Sequence, residues 1–312
     1  MWIIVAISGY FLLAVASTVD KYLLAGPIPS PKVYAFFIGM LGAVVFLLIP
    51  FGFIGIPSFG IIALAFLAGI IRVLALTALF SGLQKFEVSR IIPALGGMAP
   101  LCTVVLLFVI LGETESISRE NFPALLLLVA GSVGISLEKK AFVTAQSLLY
   151  AGVAAFLFSV FFVLSKIVYD SDIQGADPFL TGLVWIAVGS VTTSLVFLAF
   201  REVRKAAQEI FGRKNSQKIR MSKKIAGLFV GNQAVGGVAI FLQSFAVGLV
   251  PIGLLPFVSA LEGVNHFFIF VMTVILSLYF PRVLKEDISK RVIAQKIVAI
   301  LSIAAGLVIL AV

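Results

Sequence analysis

The chain has 312 residues, of which 61% are hydrophobic and 12% charged, and its formal net charge is +9. Soluble globular domains contain about 45–50% apolar and about 25% charged residues, so the composition excludes an ordinary soluble domain. The apolar residues form long stretches, without the alternating segments of about ten residues that mark a transmembrane barrel. An all-α membrane protein is therefore predicted.

Ten apolar stretches are long enough to be transmembrane helices, and Pro, Gly or charged residues mark their short connections. The predicted spans are 2–20, 31–53, 58–83, 88–111, 120–137, 147–168, 178–200, 225–248, 252–280 and 289–311. The first is interpreted as a retained helix, because no Lys or Arg precedes it as a signal peptide requires. The ninth is too long for one straight span, so Pro256, alone or with Pro251, is expected to kink or break it.

The distribution of positive charge sets the predicted orientation. Of the 23 Lys and Arg residues, 19 lie in or beside the connections after the first, third, fifth, seventh and ninth segments. Only two lie beside the other connections. The positive-inside rule places the basic connections in the cytoplasm, which predicts a multi-pass protein of the cytoplasmic (plasma) membrane with both termini outside.

The connection 201–224 carries most of the excess charge, with nine basic and two acidic residues. A nucleic-acid site would need a binding motif or an aromatic platform beside this charge, and neither accompanies it. A cytoplasmic loop that lies against anionic lipid is favoured. The lipid bilayer is therefore an expected partner, and no nucleic-acid partner is expected. Residues 201–211 are expected to form a short interfacial helix that ends at Gly212.

The two halves of the chain, 1–146 and 147–312, resemble each other in register. The matched pairs are Phe11/Phe156, Leu12/Leu157, Lys21/Lys166, Pro31/Pro178, Gly42/Gly189, Val44/Val191, Leu48/Leu195, Phe53/Phe200 and Pro93/Pro256. Because each half holds five helices, the two copies have opposite orientations in the membrane. Two five-helix inverted repeats are thus predicted, an architecture of transporters whose substrate site lies near the midplane between the halves.

The stretch 89–135 carries a family resemblance. A Pro-containing helix ends in Leu111-Gly112-Glu113, and the apolar helix ALLLLVAGSVGI follows after a short turn. This pattern resembles the fourth and fifth helices of EamA-like members of the drug/metabolite transporter superfamily. In the second half Glu262-Gly263 stands where the family often has Glu-Pro, whereas the end of the ninth segment departs from the pattern by lacking Gly-Glu. The resemblance covers most of the chain and implies a ten-helix carrier of small metabolites, with no particular substrate. It also implies termini in the cytoplasm, opposite to the charge count.

The ninth segment carries polar residues at bilayer depth. Ser259, Glu262 and His266 are spaced i, i+3, i+7 on one helix face, and Asn265 lies beside them. Ionisable residues inside a membrane are costly, which makes Glu262 and His266 candidates for substrate binding, together with Ser259 and Asn265 on the same face. Glu262 is also the candidate for proton coupling. The alternatives are a protonated Glu262 that links helices and a His266 that donates to a backbone carbonyl.

Arg72 is the other charge within a span, near the middle of the third segment and among small residues such as Ala68 and Gly69. Its guanidinium keeps its charge and needs an anion at that depth. The anion is either Glu262 from the other half or a carboxylate or phosphate of the substrate. A purely structural Arg–Glu pair is the alternative to a substrate site in the crevice between the halves.

The eighth segment has a stripe of polar and small residues. Asn232, Gly236, Ala239 and Gln243 recur at i, i+4, i+7 and i+11, and Gln233 lies alongside. Helix packing explains such a stripe, because small residues let helices approach closely. Asn and Gln also line polar cavities, so Asn232, Gln233 and Gln243 join the candidate substrate-binding residues.

The whole sequence predicts a secondary-active transporter of small metabolites, such as amino acids or organic ions, that works by alternating access. A non-transporting membrane scaffold and an intramembrane enzyme are the alternatives. Enzyme activity is disfavoured because neither His-Glu-x-x-His nor a matched Ser/His arrangement is present, and a channel because no filter-like loop stands out. No cofactor is expected, and no metal site, since the chain has one histidine and no converging ligands. Monomer and homodimer remain open.

Overall fold

The computed structural model describes residues 1–24, 31–86, 88–112, 121–136, 144–173, 175–211, 223–279 and 290–311. All regular structure within these residues is helical. The first half contains α1 (Trp2–Leu24), α2 (Pro31–Leu41, continued as a 3-10 helix over Gly42–Phe51), α3 (Phe59–Lys85), α4 (Val88–Leu111) and α5 (Phe122–Ser136). The second half contains α6 (Ala145–Tyr169), α7 (Pro178–Phe197), α8 (Arg201–Phe211), α9 (Lys223–Leu249), a 3-10 turn (Ile252–Leu254), α10 (Leu255–Ala260), α11 (Glu262–Tyr279) and α12 (Lys290–Ala311).

Seven helical stretches are long and apolar enough to cross a membrane. They are Trp2–Val19, Lys32–Phe51, Phe59–Lys85, Ala145–Tyr169, Pro178–Phe197, Gly231–Leu249 and Ile252–Met272. Shorter apolar stretches lie in three further helices, at Ala94–Ile110, Phe122–Gly134 and Ala294–Leu310. The prediction of an all-α, membrane-embedded, multi-pass protein is confirmed, whereas the count of ten transmembrane helices stays a prediction.

Local sequence explains where two helices of the second half begin. The Asp177 side chain accepts a hydrogen bond from the Leu180 N–H (2.8 Å), and Pro178 occupies the first turn of α7. Thr144 and Ser147 cap α6 reciprocally, each side chain accepting from the other residue's backbone N–H. Such caps satisfy N–H groups that have no partner within the helix.

The ninth predicted segment is interrupted, as its two prolines suggest. Pro256 lies in the first turn of α10, and the single residue Leu261 separates α10 from α11. The chain stays hydrogen-bonded through this break, since the Leu261 N–H donates to Phe257 O and the Val264 N–H donates to Leu261 O, both at 2.9 Å. Glu262 is therefore the first residue of a helix, where free N–H groups and the helix dipole favour a carboxylate.

The helix expected over 201–211 is present as α8. Val203 is fully buried and packs in a cluster with residues of α2 and with Phe197, while Arg204 and Lys205 are exposed. One apolar and one basic side are typical of a helix that lies along a membrane surface. Gly212, its expected end, and Glu113 of the family-like motif lie outside the described residues.

The two halves contact each other through several helix pairs, of which α1 and α9 run antiparallel. α1 packs against α9, where a β-carbon at Gly236 would lie 3.8 Å from the Ala16 β-carbon and one at Gly9 would lie 3.3 Å from the Ala239 carbonyl oxygen. α3 packs against α6. α2 also packs against α7, α5 against α12, and α4 against both α6 and α10.

The closest helix crossing joins α3 and α7. A β-carbon at Gly69 would overlap the Ile186 carbonyl oxygen, and one at Gly189 would overlap the Phe66 carbonyl oxygen. The Ser190 hydroxyl donates to Gly69 O at 3.2 Å across the same crossing. Only glycine permits such a backbone approach, so these two positions fix α7 on the surface of α3.

Candidate functional site

The break between α10 and α11 holds the polar residues predicted on the ninth segment. Ser259 is buried, and its hydroxyl donates to Pro256 O at 2.9 Å. Glu262 is half-buried at the start of α11, among residues that are almost all buried. The structure thus brings Ser259 and Glu262 together within one turn of the helix break, in the interior of the bundle.

Asn265 and His266 follow on α11 with buried polar atoms. Asn265 Oδ1 and His266 Nε2 have no hydrogen-bond partner within the described part of the chain. Ser132 Oγ on α5 is buried and unpartnered in the same way, and Ser132 packs directly against Gly263. A buried polar atom without a partner costs about 1–3 kcal/mol, and native proteins have few of them. Three such atoms, on residues that follow Glu262 on α11 or pack against Gly263, mark this region as a candidate binding site.

Tyr10 links α1 to this group. Its hydroxyl is buried and donates to Val258 O on α10 at 2.6 Å. Glu262 is close enough to interact electrostatically with Tyr10. Tyr10 therefore positions α10 against α1 beside the Glu262 carboxyl.

Arg72 lies at the midpoint of α3. Ala63, Leu67 and Leu74 mark the exposed side of this helix, and at 3.6 residues per turn Arg72 lies on the opposite side. Its guanidinium carbon is 5.8 Å from the centre of the Phe161 ring on α6, a cation–π contact. The charge therefore faces the interior of the bundle between α3 and α6.

Tyr169, at the end of α6, is the electrostatic neighbour of Arg72. The residue is 5% exposed, and its hydroxyl has no hydrogen-bond partner within the described residues. Ser244 on α9 lies next to this hydroxyl. Arg72, Tyr169 and Ser244 thus bring α3, α6 and α9 together in a second polar group.

Arg72 and Glu262 do not form an ion pair with each other in the part of the chain that the structure describes. The electrostatic neighbour of Arg72 is Tyr169, and that of Glu262 is Tyr10. The interior therefore contains two separate polar groups. One lies around α3 and α6 with a cation, and the other around α1 and α11 with an acid.

Aromatic rings pack next to Tyr169, near the connection between α6 and α7. The Phe179 ring centre is 5.0 Å from that of Tyr169, 5.8 Å from that of Phe241 and 5.2 Å from that of Phe245. These four rings join α6, α7 and α9 into one apolar layer. The pair distances lie in the range that favours edge-to-face and offset packing of aromatic rings.

Lys166 ties the same helices together. It is 3% exposed, and its ammonium donates to Asp170 Oδ1 at 2.6 Å and to Gly248 O at 3.1 Å. From the sequence it is expected to be interfacial, as is Lys21, whose side chain lies outside the described residues. The structure shows Lys166 buried within the protein near the end of α6, and its position at the membrane interface stays a prediction. The ammonium is paired with Asp170 and needs no water, because α9 supplies a carbonyl oxygen.

The stripe on α9 lies mostly against α1. The Gln243 backbone and Ala239 border Gly9, and Gly236 borders Ala16. On this side of the helix the stripe therefore serves helix packing, the alternative given for it from the sequence. Asn232 is 6% exposed, and Gln233 is half-buried. Gln243 thus lies at the α1–α9 contact, next to Ser244 in sequence and close to Gly9, the neighbour of Tyr10 on α1.

Two apolar cavities of about 560 and 210 Å³ lie along α4 and α6. Their linings share Phe156, and neither includes a residue of the two polar groups. Within the described residues no group of three His, Cys, Asp or Glu side chains is close enough to bind a metal ion.

Sequence reasoning missed Tyr10, Tyr169, Ser132 and Ser244. Tyr and Ser residues are common in transmembrane helices, and their spacing carries no sign of a shared site. The only available signal is that a buried Tyr hydroxyl needs a hydrogen-bond partner, which singles out tyrosines within the apolar stretches.

No family model matches the chain, and no curated protein matches it. A solved structure described as "Crystal structure of protein" is similar to this chain, with a TM-score of 0.63 and 16% sequence identity. The likeness covers 98% of this chain and 93% of the other. At this identity the likeness concerns the fold, which the chain thus shares with a solved structure over nearly its whole length.

Proposed function

We propose that the chain is a secondary-active transporter of small metabolites, built from two inverted five-helix repeats with ten transmembrane helices. The observation that carries the proposal is the reciprocal packing of helices between the halves. Under the proposed repeat, α1 corresponds to α6, α2 to α7, α3 to α9, α4 to α10–α11, and α5 to α12. A two-fold axis in the membrane plane would exchange the members of each pair.

The observed contacts follow this exchange. α1 packs against α9, and correspondingly α6 packs against α3. α4 packs against α6, and correspondingly α11 packs against α1. These reciprocal pairs are expected from inverted repeats, in which the two halves enclose a site near the midplane.

Helices that correspond to each other also pack together in antiparallel fashion. A β-carbon at Gly42 of α2 would be 3.8 Å from the Ala187 β-carbon, and one at Gly39 would contact Ser194 further along α7. The later residue, Gly42, thus meets the earlier residue of α7, Ala187, so the two helices run antiparallel. An axis in the membrane plane reverses direction, so antiparallel packing of equivalent helices supports the inverted arrangement.

The two polar groups suit a carrier. Arg72 from the first half and Glu262 from the second lie in the interior without neutralising each other. Ionisable residues in this position mark substrate or ion pathways in membrane proteins. Glu262, with Tyr10 and His266 near it, is the proposed site of proton coupling. Rocking of the halves would expose the two groups alternately to each side of the membrane.

The resemblance in residues 89–135 supports placing the chain in the EamA-like family of the drug/metabolite transporter superfamily. The positive-inside rule supports a plasma-membrane protein with α8 and its basic connection in the cytoplasm and both termini outside. No observation favours the scaffold or the enzyme over the carrier.

Uptake into proteoliposomes tests the function. Wild type, Arg72→Ala and Glu262→Gln would be compared on a panel of amino acids, organic acids and organic cations, with and without an imposed pH gradient. Arg201→Ala, at an exposed position on α8, serves as the control for loss of an arginine. Elution as a single species in size-exclusion chromatography establishes that each variant is folded.

The proposal predicts saturable uptake by wild type and by Arg201→Ala, with loss of uptake in both interior variants. If Glu262 couples transport to protons, collapsing the pH gradient abolishes accumulation by wild type, and Glu262→Gln no longer responds to the gradient. Normal uptake by both interior variants would contradict the assigned site. Absence of saturable uptake by wild type across the panel would contradict the transport function.

A further inference from the structure

We infer that Arg72, Tyr169 and Ser244 bind the carboxylate of a small apolar organic acid. The inference names the substrate class and rests on the proposed transport function for its biological meaning. The binding event can be measured without transport. It assigns the ligand to the α3–α6–α9 group and leaves the Glu262 group to the coupling step.

The first support is the uncompensated charge of Arg72. The guanidinium is permanently charged, points into the bundle, and has aromatic rings as its neighbours. No Asp or Glu pairs with it among the described residues. Burying a cation without an anion is strongly unfavourable. A bound carboxylate would neutralise the guanidinium and accept two parallel hydrogen bonds from its forked N–H groups.

The second support is independent of the charge. Tyr169 is buried beside Arg72, and its hydroxyl has no hydrogen-bond partner in the described structure. Ser244 on α9, in the same half as Tyr169, places a second hydroxyl next to it. Both groups can donate to an anion. A carboxylate at this point would satisfy the Tyr169 hydroxyl and the guanidinium together.

The single positive charge selects among anions. A carboxylate carries one negative charge and forms a neutral pair with Arg72. A phosphate monoester carries nearly two charges. Lys166, three residues before Tyr169 on α6, is already paired with Asp170 and so does not compensate the excess in a medium of low dielectric. An organic cation would be repelled. The site therefore fits a monocarboxylate.

The surroundings indicate the rest of the ligand. Phe161 lies under the guanidinium, and Phe179 packs on Tyr169 together with Phe241 and Phe245. Aromatic rings near a carboxylate site accommodate an apolar or aromatic substituent and exclude water from the ion pair. An arylalkyl carboxylate matches both parts of the site.

Equilibrium binding to purified protein in lipid nanodiscs tests the inference, with radiolabelled 3-phenylpropionate as the probe. Unlabelled competitors of the same shape separate charge from apolar character. 3-Phenylpropionamide is neutral, phenethylamine is cationic and phenyl phosphate carries nearly two negative charges. We expect saturable binding of the carboxylate and displacement at least about 100-fold weaker by the amide, since an Arg–carboxylate pair is lost.

Variants then assign the binding to these residues. Arg72→Gln is expected to weaken binding about 100-fold, and Arg72→Lys about tenfold because it keeps the charge and loses the fork. Tyr169→Phe is expected to weaken it about tenfold through loss of one hydrogen bond to a charged group. Tyr150→Phe makes the same change on the same helix, at a half-buried hydroxyl bonded to Lys85, and is expected to change binding by no more than about twofold.

The outcomes separate this inference from the transport proposal. The site is supported if the affinity for 3-phenylpropionate is reduced in Arg72→Lys and lost in Arg72→Gln, even if wild type transports nothing. Equal displacement by acid and amide, equal binding by Tyr169→Phe and wild type, or no binding of 3-phenylpropionate by wild type overturns the inference. Saturable uptake of a cation or a neutral solute in proteoliposomes would then leave the transport proposal standing.

Discussion

The third helix of the first half, α3, and its proposed counterpart in the second half, α9, use glycine in opposite ways. Gly69 on α3 is covered so closely by α7 that a β-carbon would overlap backbone atoms. On α9, no described atom lies within 4 Å of a β-carbon at Gly231 or Gly237. Phe179 gives α7 a contact with α9, but only near the end of α9, through Phe241, Phe245 and Gly248.

This difference shows that α2 and α7 both lie on the α3 side of the bundle. α2 packs against α3 and α7, and α7 packs against α3, whereas no described residue covers the side of α9 along Gly231 and Gly237. In an alternating-access carrier with inverted repeats, exchange of the halves converts one state into the other. Under the proposed function, the open side of α9 is the surface that α2 covers in the second state.

The largest expected effect comes from filling the covered glycine. Gly69→Leu is expected to lower the free energy of unfolding by about 3 kcal/mol, because the new side chain meets backbone atoms that no rotamer change can move. Gly237→Leu, into open space, is expected to change it by less than about 1 kcal/mol. Thermal denaturation in detergent, followed by loss of the folded species, compares the two. Equal destabilisation would contradict the difference between α3 and α9.

The open glycines test the second state. Gly231→Leu and Gly237→Leu are expected to fold normally and to lose more than about tenfold in uptake, because overpacking by about 2 kcal/mol would depopulate the state in which α2 covers α9. Proteoliposome uptake beside Val298→Leu, an exposed apolar position on α12, measures the effect. Unchanged uptake by both glycine variants would mean that nothing covers this surface during transport.

The two buried tyrosines on α1 and α6 sharpen the comparison between halves. Tyr10→Phe is expected to lower the free energy of unfolding by about 1–2 kcal/mol, because the Val258 carbonyl loses its donor in the interior. Tyr169→Phe is expected to leave stability unchanged within about 0.5 kcal/mol, since its hydroxyl forms no well-aligned hydrogen bond within the described residues, while weakening carboxylate binding. Denaturation of both variants beside Tyr150→Phe measures this. A larger loss for Tyr169→Phe than for Tyr10→Phe would reverse the assigned roles.

The smallest perturbation comes from cysteine pairs at contacts between the halves. Ala16→Cys with Gly236→Cys, and Gly42→Cys with Ala187→Cys, are expected to form disulfides in a Cys102→Ala background. The β-carbon separations of 3.8 Å match the mean of about 3.8 Å in natural disulfides. Mobility after mild oxidation and cleavage of the chain between the halves detects the link. Failure of both pairs, with free thiols present, would contradict the described packing of the halves.

Hydrophobic stretches are enough to locate the helices in this sequence. Each predicted segment coincides with helical structure, the break near Pro256 occurs, and α8 is found at 201–211. These features depend on local composition, on proline and on amphipathic pattern, which the sequence contains directly.

Which helices contact each other depends on tertiary packing, and the sequence alone did not reveal it. The sequence identified Arg72 and Glu262 because charges at bilayer depth are rare. It did not indicate that Tyr169 lies unbonded beside one and Tyr10 bonded beside the other, since both residues occur in similar apolar contexts. Lys166 shows the same limit, because its sequence position does not indicate that α9 buries its ammonium.

The comparison between α3 and α9 requires the two halves to have opposite orientations, and labelling of single cysteines in intact cells tests this most directly. In a Cys102→Ala background, a membrane-impermeant maleimide would be applied to Ser30→Cys and to Asp172→Cys, which lie in the first connection of each half. The proposed inverted repeats predict that the two cysteines react from opposite sides, and the positive-inside rule predicts that Asp172→Cys reacts from outside and Ser30→Cys only after permeabilisation. Reaction of both cysteines from the same side would contradict the inverted repeat and, with it, the proposed exchange of states.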